Sequence, residues 1–294
     1  MKTNYSIFRQ ILFAAAPLVL LAGCSDDDPA PIGVTGVGMS KTTLELALDG
    51  TERLTAAVTP DNAADKTLTW TSSDEAVATV SAEGIVTAVR AGHATVTVAA
   101  GGKTGTCAVT VNPDIYVAGY ENYGNNPDVA VVWKNGKALY TLTDGTQYAG
   151  ASSVFVSGGA VYTAGSEDNE IGKSVAKVWK NDKLLYTLSE GTLGSSASSV
   201  YVADGDVYVC GYEEMRENVY MLRVWKNGKV LHSYTPADQK EESWLNSLSV
   251  WDGDVYTAGY DGYPGKVWKN DGELYTLTED GMASSVFVYT GPER

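Results

Sequence analysis

The tetrapeptide Val-Trp-Lys-Asn at residues 132–135 occurs three more times, at residues 178–181, 224–227 and 267–270. The spacings between its tryptophans are 46, 46 and 43 residues. A second motif, Tyr-Val-Ala-Gly at residues 116–119, keeps the same phase; its variants begin at Tyr162, Tyr208 and Tyr256. Sequence periods of this length indicate stacked structural units. Residues 113–294 are therefore predicted to be β-propeller-like repeats of about 46 residues.

Each repeat predicts four antiparallel strands, which we term a, b, c and d. In one repeat these are residues 153–156, 161–164, 176–179 and 185–188. Asn-Gly pairs such as Asn227-Gly228 are strong signals for the tight c–d turn, because both residues tolerate a positive φ angle. Antiparallel units of four strands and about 40–50 residues are typical of β-propeller blades. The repeat tryptophans are predicted to pack within or between these blades.

The phase of the repeats predicts how the blades close. The region begins on strand b, at residues 115–119, and its last predicted strand is a strand a, at residues 285–288. We therefore expect the last strand to complete the first blade, giving four closed blades without exposed edge strands. A truncated piece of a larger propeller is the alternative.

Residues 33–112 predict about seven short alternating strands separated by turn residues, which is typical of a β-sandwich. The stretches LTWTSSDEAVATV at residues 68–80 and AGHATVTV at residues 91–98 resemble the bacterial immunoglobulin-like domain, group 2. This resemblance implies a stalk or adhesin module with Trp70 in its core, and His93 is expected in a solvated turn. The predicted fold class is all-β: an immunoglobulin-like β-sandwich followed by a small, four-bladed β-propeller.

Residues 1–23 have a short basic start and an apolar run that ends in small residues, which is the pattern of a secretory signal peptide. The run is too short to span a membrane. Its end, Leu-Ala-Gly before Cys24, resembles a bacterial lipoprotein box, which implies that the Cys24 sulfur carries a lipid. Residues 24–32 form an acidic tether whose Ser-Asp-Asp-Asp resembles the export tag of surface lipoproteins in Bacteroides-like bacteria. We therefore expect a lipid anchor in the outer membrane, facing the cell exterior. An ordinary secretory signal and a plain linker are the alternatives.

The composition argues against several classes of chemistry. The two histidines, His93 and His232, lie in different predicted domains, which argues against His-dependent triads and paired-His zinc sites. The formal charge of −15 disfavours nucleic acid as a partner. Cys107 and Cys210 are expected to be buried thiols. No cofactor or metal site is predicted beyond weak Ca²⁺ binding by scattered loop carboxylates.

The candidate ligand site lies on the face that carries the long b–c and d–a loops, opposite the tight turns. Functional residues on rigid scaffolds concentrate in such loops. The candidate ligand-binding residues are four acids that follow strand b and three aromatic residues that could stack on a ligand: Glu121, Glu167, Glu213, Asp261, Trp244, Tyr123 and Tyr263. We expect Trp244 to lie in a long polar loop, where an exposed tryptophan would be a better ligand contact than any repeat tryptophan.

These features predict a non-catalytic binding or adhesion module for an extracellular glycan or protein. A polysaccharide-degrading propeller enzyme and a purely structural spacer are the alternatives.

Overall fold

The computed structural model describes residues 30–122, 124, 126–216, 219–236, 243–262, 264–277 and 281–291. These residues form strands, turns and loops without any helix, which confirms the predicted all-β class. No helix suited to crossing a membrane therefore occurs in this part of the chain. The chain divides into two compact units between Asn112 and Pro113. The predicted signal peptide, Cys24 and most of the acidic tether lie outside the described residues.

The first unit contains nine strands. They are β1 (Gly36–Met39), β2 (Thr43–Ala47), β3 (Thr51–Arg53), β4 (Ala56–Thr59), β5 (Thr69–Ser72), β6 (Ala78–Val80), β7 (Ile85–Ala88), β8 (Gly92–Ala100) and β9 (Lys103–Asn112). One sheet has the order β2-β9-β8-β5, a second β3-β7-β6, and β1 pairs with β4. The β2–β9 pair is parallel and the other pairs are antiparallel.

One core holds this unit together. Side chains alternate along a strand, so β8 buries every second residue from Ala94 onward. The buried cluster includes Leu54, Val86 and Cys107, and Trp70 packs against it half-buried, in agreement with its predicted core role. His93 lies exposed on β8, where its Nδ1 is 3.2 Å from Thr110 Oγ1, so the expected turn position is wrong. The strand pairing of β8 with β9 extends back to Gly92, which places His93 inside the ladder.

The second unit contains four consecutive antiparallel sheets. Sheet I is β10 (Tyr116–Glu121), β11 (Val129–Lys134) and β12 (Lys137–Thr141); sheet II is β13 (Ala149–Ser157), β14 (Ala160–Asp168), β15 (Ser174–Lys180) and β16 (Lys183–Thr187); sheet III is β17 (Ser195–Ala203), β18 (Asp206–Arg216), β19 (Val219–Lys226) and β20 (Lys229–Tyr234); sheet IV is β21 (Ser243–Trp251), β22 (Asp254–Asp261), β23 (Gly265–Lys269) and β24 (Gly272–Thr276). Each complete sheet follows the a-b-c-d order that the repeats predict.

The repeated motif residues hold the tight-turn end of each sheet together. In sheet III, Asn227 takes a φ of 51°, and its Oδ1 accepts a hydrogen bond of 2.9 Å from the Val207 N–H. Its Nδ2 donates to Asp206 Oδ1 over 2.7 Å. Lys226 Nζ lies 2.7 Å from Asp206 Oδ2 and 5.0 Å from the centroid of the Tyr208 ring. The motif therefore ties the c–d turn to the start of strand b.

The same arrangement recurs in sheets I and IV, whereas in sheet II Ala160 stands where the other sheets have the aspartate. The paired lysine lowers the pKa of Asp114, Asp206 and Asp254. These aspartates in turn raise the pKa of their lysines. Lys-Asn thus recurs because both side chains hold the c–d turn to the start of strand b in the folded sheet.

Each repeat tryptophan of sheets II to IV packs backward onto the preceding sheet. Trp179 joins a cluster with Ala130 and Val132 of sheet I. Trp225 and Trp268 occupy the same place between sheets II and III and between sheets III and IV. The three side chains are buried, in agreement with their predicted packing role. The core of this unit is therefore a series of layers, one between each pair of neighbouring sheets.

The two ends of the series differ from the expected closure. Sheet I has three strands, and residues 281–291 contain no strand, so the predicted pairing of residues 285–288 with β10 is not formed. The Val286 N–H donates instead to Ser247 Oγ on β21, over 3.2 Å. The segment thus lies against sheet IV. Trp133 of sheet I is only half-buried, and the described residues of this unit form no sheet before sheet I.

Candidate functional site

The four candidate acids occupy strand ends. Glu121 and Asp261 are the last residues of β10 and β22, and Glu167 is the penultimate residue of β14. Glu213 lies within β18, which continues to Arg216. The expected loop positions are therefore wrong, because strands b and c pair further than the sequence indicates.

Three of these acids form ion pairs with a cation on strand c of the same sheet. Lys177 contacts Glu167. Arg223 Nε lies 2.9 Å from Glu213 Oε2, and Lys266 Nζ lies 3.2 Å from Asp261 Oδ2. All three pairs join neighbouring strands along one edge of the sheets. Their side chains are mostly buried, so the pairing removes much of their capacity to bind a ligand. Partly buried pairs of this kind contribute to the fold when their geometry is good.

Glu121 follows a different pattern, because Val131 stands where the other sheets have the cation. Its Oε1 accepts a hydrogen bond of 3.3 Å from Trp133 Nε1. The series of acids at this edge is therefore largely engaged with its own sheets.

Trp244 lies on β21 and is half-buried, so its predicted position in a long polar loop is wrong. Its ring meets Tyr212 edge-on, with centroids 4.3 Å apart and an interplanar angle of 83°. Tyr220 lies 6.3 Å from Trp244 and 5.4 Å from Tyr212. This aromatic packing extends β21 into the expected loop. The other two predicted stacking residues, Tyr123 and Tyr263, lie outside the described residues.

An open groove of about 470 Å³ lies between sheets II and III at the same edge. Its polar lining includes Ser189, Glu190, Thr192 and Glu214, next to the ion-paired Glu213. Leu188, Leu193, Met215 and Val230 supply its apolar lining. Hydroxyls, carboxylates and small apolar surfaces thus meet in one concave site, and concave sites with a few convergent polar groups are where proteins bind small ligands.

The wall of this groove is fixed by hydrogen bonds from the loop after β16. The Gly194 N–H donates to Glu214 Oε2 over 3.1 Å. Asn169 Nδ2 donates to the Gly191 carbonyl over 2.6 Å. Ser189 and Ser195 hydroxyls lie 2.6 Å apart. The loop is thereby held to β18 and to the b–c loop of sheet II, and the groove is preformed.

The sequence interpretation included Glu213 but missed Glu190, Thr192 and Glu214. The available signal was the stretch Ser-Glu-Gly-Thr at residues 189–192, which belongs to a d–a loop on the predicted binding face. This stretch alone does not predict a groove, because the opposite wall of the groove is formed by residues of the following sheet.

The described residues contain no group of three or more His, Cys, Asp or Glu side chains that could hold a metal ion. Cys107 and Cys210 are free and buried, as predicted, and burial raises the pKa of both thiols.

Residues 33–111 match the family model of the bacterial Ig-like domain, group 2, which confirms the resemblance seen in the sequence. An α-L-arabinofuranosidase of Bifidobacterium longum is 39% identical over 38% of this chain and 11% of its own length. A lacto-N-biosidase of Bifidobacterium bifidum is 45% identical over 32% of this chain and 8% of its own length. An Ig-like virion protein of Serratia phage KSP90 is 43% identical over 28% of this chain and 33% of its own length. The matched stretches thus span about a tenth of each of the two glycosidases and a third of the virion protein.

Proposed function

We propose that this chain is an outer-membrane surface lipoprotein that binds an extracellular glycan without cleaving it. The observation that carries the proposal is the preformed groove between sheets II and III. Carboxylates and hydroxyls such as Glu190 and Thr192 suit sugar hydroxyls, and Leu193 and Met215 suit the apolar faces of sugar rings. The proposal draws support from two glycosidases that share a segment similar to part of this chain. The immunoglobulin-like unit is then an accessory module that displays a propeller-type head.

Binding is favoured over hydrolysis by the state of the groove carboxylates. Glycosidases use two carboxyl groups, one of which donates a proton and needs a raised pKa. Glu213 is paired with Arg223, and Glu214 accepts a hydrogen bond from the loop that forms the groove wall.

A glycan panel with the full chain tests this function. The variant Glu190→Gln should weaken binding of a retained glycan about tenfold, the change expected for loss of one charge-assisted hydrogen bond. Asp144→Asn is the matched control, since Asp144 holds the corresponding place in the loop after β12. Its Oδ1 accepts hydrogen bonds from the N–H and the hydroxyl of Thr146, over 2.9 and 2.7 Å. We propose that no cofactor is needed, so chelator should leave binding unchanged.

Three outcomes would contradict the proposal. New reducing ends released from a bound polysaccharide would identify an enzyme. Binding that responds equally to Glu190→Gln and Asp144→Asn would place the site elsewhere. Retention of proteins but of no glycan would favour an adhesin for a protein ligand.

The lipid anchor is tested separately. If Cys24 carries lipid, Cys24→Ala should abolish partitioning into the detergent phase. Replacement of Asp26, Asp27 and Asp28 by alanine should keep the lipid but protect the protein from external protease, if the tag directs surface export. Unchanged partitioning in the first variant, or unchanged protease access in the second, would refute the corresponding step.

A further inference from the structure

Among the described residues, sheet I has no strand in the position that β13, β17 and β21 hold in the other three sheets. In sheet III, β17 covers the edge of β18, and Val207 and Val209 are buried. Their counterparts in sheet I are Ile115 and Val117, which are 61% and 50% exposed. The free edge of β10 therefore carries apolar side chains that the repeat buries elsewhere. An exposed edge of this kind is a template for a further strand.

A glycine on β10 is already suited to such a strand. In sheets II and III, a Cβ at Gly165 or Gly211 would lie 2.0 Å from a backbone oxygen of strand a, so only glycine fits there. Gly119 holds the same place in sheet I, yet a Cβ there would meet only the Trp133 ring, at 3.0 Å. Sheet I thus has the close-approach glycine without the backbone that requires it.

Residues 284–288, Ser-Ser-Val-Phe-Val, lie where the strand a of a following sheet would begin. Strand a of each sheet is bonded to the strand a before it by a serine hydroxyl that accepts a backbone N–H. These bonds join Ser153 to Val200 over 3.2 Å, Ser199 to Leu248 over 3.4 Å, and Ser247 to Val286 over 3.2 Å. Phe287 is nevertheless 79% exposed, because the described residues bring no sheet beside it.

Sheet IV also leaves its outer layer open. Leu142 and Leu188 are buried under the next sheet at the end of strand d in sheets I and II. Leu277 holds this place in sheet IV and is 52% exposed. Within the described residues, one end of the series therefore has no first strand and no preceding sheet, and the other end has no following sheet.

We propose that two copies of this chain associate head to tail, and that residues 284–288 of one copy become the missing first strand of sheet I in the other. The register of sheet II, in which Val154 pairs with Thr163, places Val286 opposite Val117 of the second copy. The same contact buries Leu277 against Trp133, as Leu142 and Leu188 pack with Trp179 and Trp225 in the first two layers.

A second copy fits better than the chain's own first sheet. In the described fold the apolar side chains at both ends of the series are exposed, so sheet I and sheet IV of one chain do not cover each other. Two copies joined by two equivalent contacts form a closed, twofold-symmetric ring, and its roughly eight sheets lie within the usual range of propellers. The new interface repeats the three that already hold the chain together.

Cysteine crosslinking distinguishes this arrangement from closure within one chain. Full-length Val117→Cys and Val286→Cys variants, produced separately and mixed, should give a disulfide-linked species of twice the 31.2 kDa chain mass on non-reducing gels. Phe287→Cys mixed with Val117→Cys is the control, because neighbouring side chains of a strand point to opposite faces. The native Cys107 and Cys210 are buried and should not contribute.

The remaining outcomes overturn the proposal. Absence of a crosslink between the two single variants would refute it, and an internal disulfide in a monomeric Val117→Cys/Val286→Cys double variant would show closure within the chain. Leu277→Asp should abolish the dimer in sedimentation and leave the melting of the monomer unchanged. Leu184→Asp is the matched control, since Leu184 is also 52% exposed but lies on an internal sheet, and it should keep the dimer.

Discussion

The two units of this chain bury their apolar residues in different ways. The immunoglobulin-like unit encloses one core between its sheets, and Leu54 and Val86 are completely buried within it. The repeat unit instead buries a separate layer between each pair of consecutive sheets. The two sheets of a sandwich cover each other's apolar faces, whereas a linear series of sheets leaves the outward face of its first and last sheet uncovered. The stability lost on substituting a packing residue of the second unit should therefore depend on whether that residue lies in an inner or an outer layer of the series.

Loss of a central tryptophan should have the largest effect. Trp225→Ala empties the layer between sheets II and III and should reduce the unfolding free energy of the repeat unit by about 3–5 kcal/mol. Trp133→Ala should cost about 1–2 kcal/mol in the monomer, because Trp133 is only half-buried. Calorimetry of the full chain measures both. Equal losses would show that the outer layer is as well packed as the inner one.

A cavity in the sandwich should have a comparable or somewhat smaller effect, confined to the other unit. Leu54→Ala removes a completely buried side chain and should cost the first unit about 2–5 kcal/mol. Denaturation followed by protease digestion should show a shifted transition for residues 33–112 alone. A parallel shift in the repeat unit would mean that the two units unfold together.

Acid should affect the repeat unit through its tight-turn aspartates. The lysine bond lowers the folded pKa of Asp206 and Asp254, so their contribution is present above the unfolded value of 3.8 and lost as pH falls through the folded value. Changing Asp114, Asp206 and Asp254 to Asn should make the melting temperature of this unit less sensitive to pH below 3.8. Sheet II, with Ala160, is a natural reference, and an unaltered acid profile would contradict the assignment.

The strands and turns of the repeat could be predicted from the sequence better than the contacts that their side chains make with other strands and sheets. Val-Trp-Lys-Asn and the Asn-Gly turns define the hairpins locally, and the strands follow from them. The acids were misplaced because their partners can be found only from the register: the pairing of Gly211 with Arg223 places that guanidinium beside Glu213. The closure predicted within one chain is not confirmed, and alternation along a strand does not encode the angle between successive sheets.

One buried thiol in each unit has a consequence for how this protein can be handled. Cys107 and Cys210 are inaccessible in the folded chain, and their raised pKa keeps them protonated and slow to oxidise. A cysteine of this kind resists forming a mixed disulfide in an oxidising medium. It becomes reactive only when its own unit opens. Labelling kinetics at the two sites therefore report the opening of the two units separately, without an introduced probe.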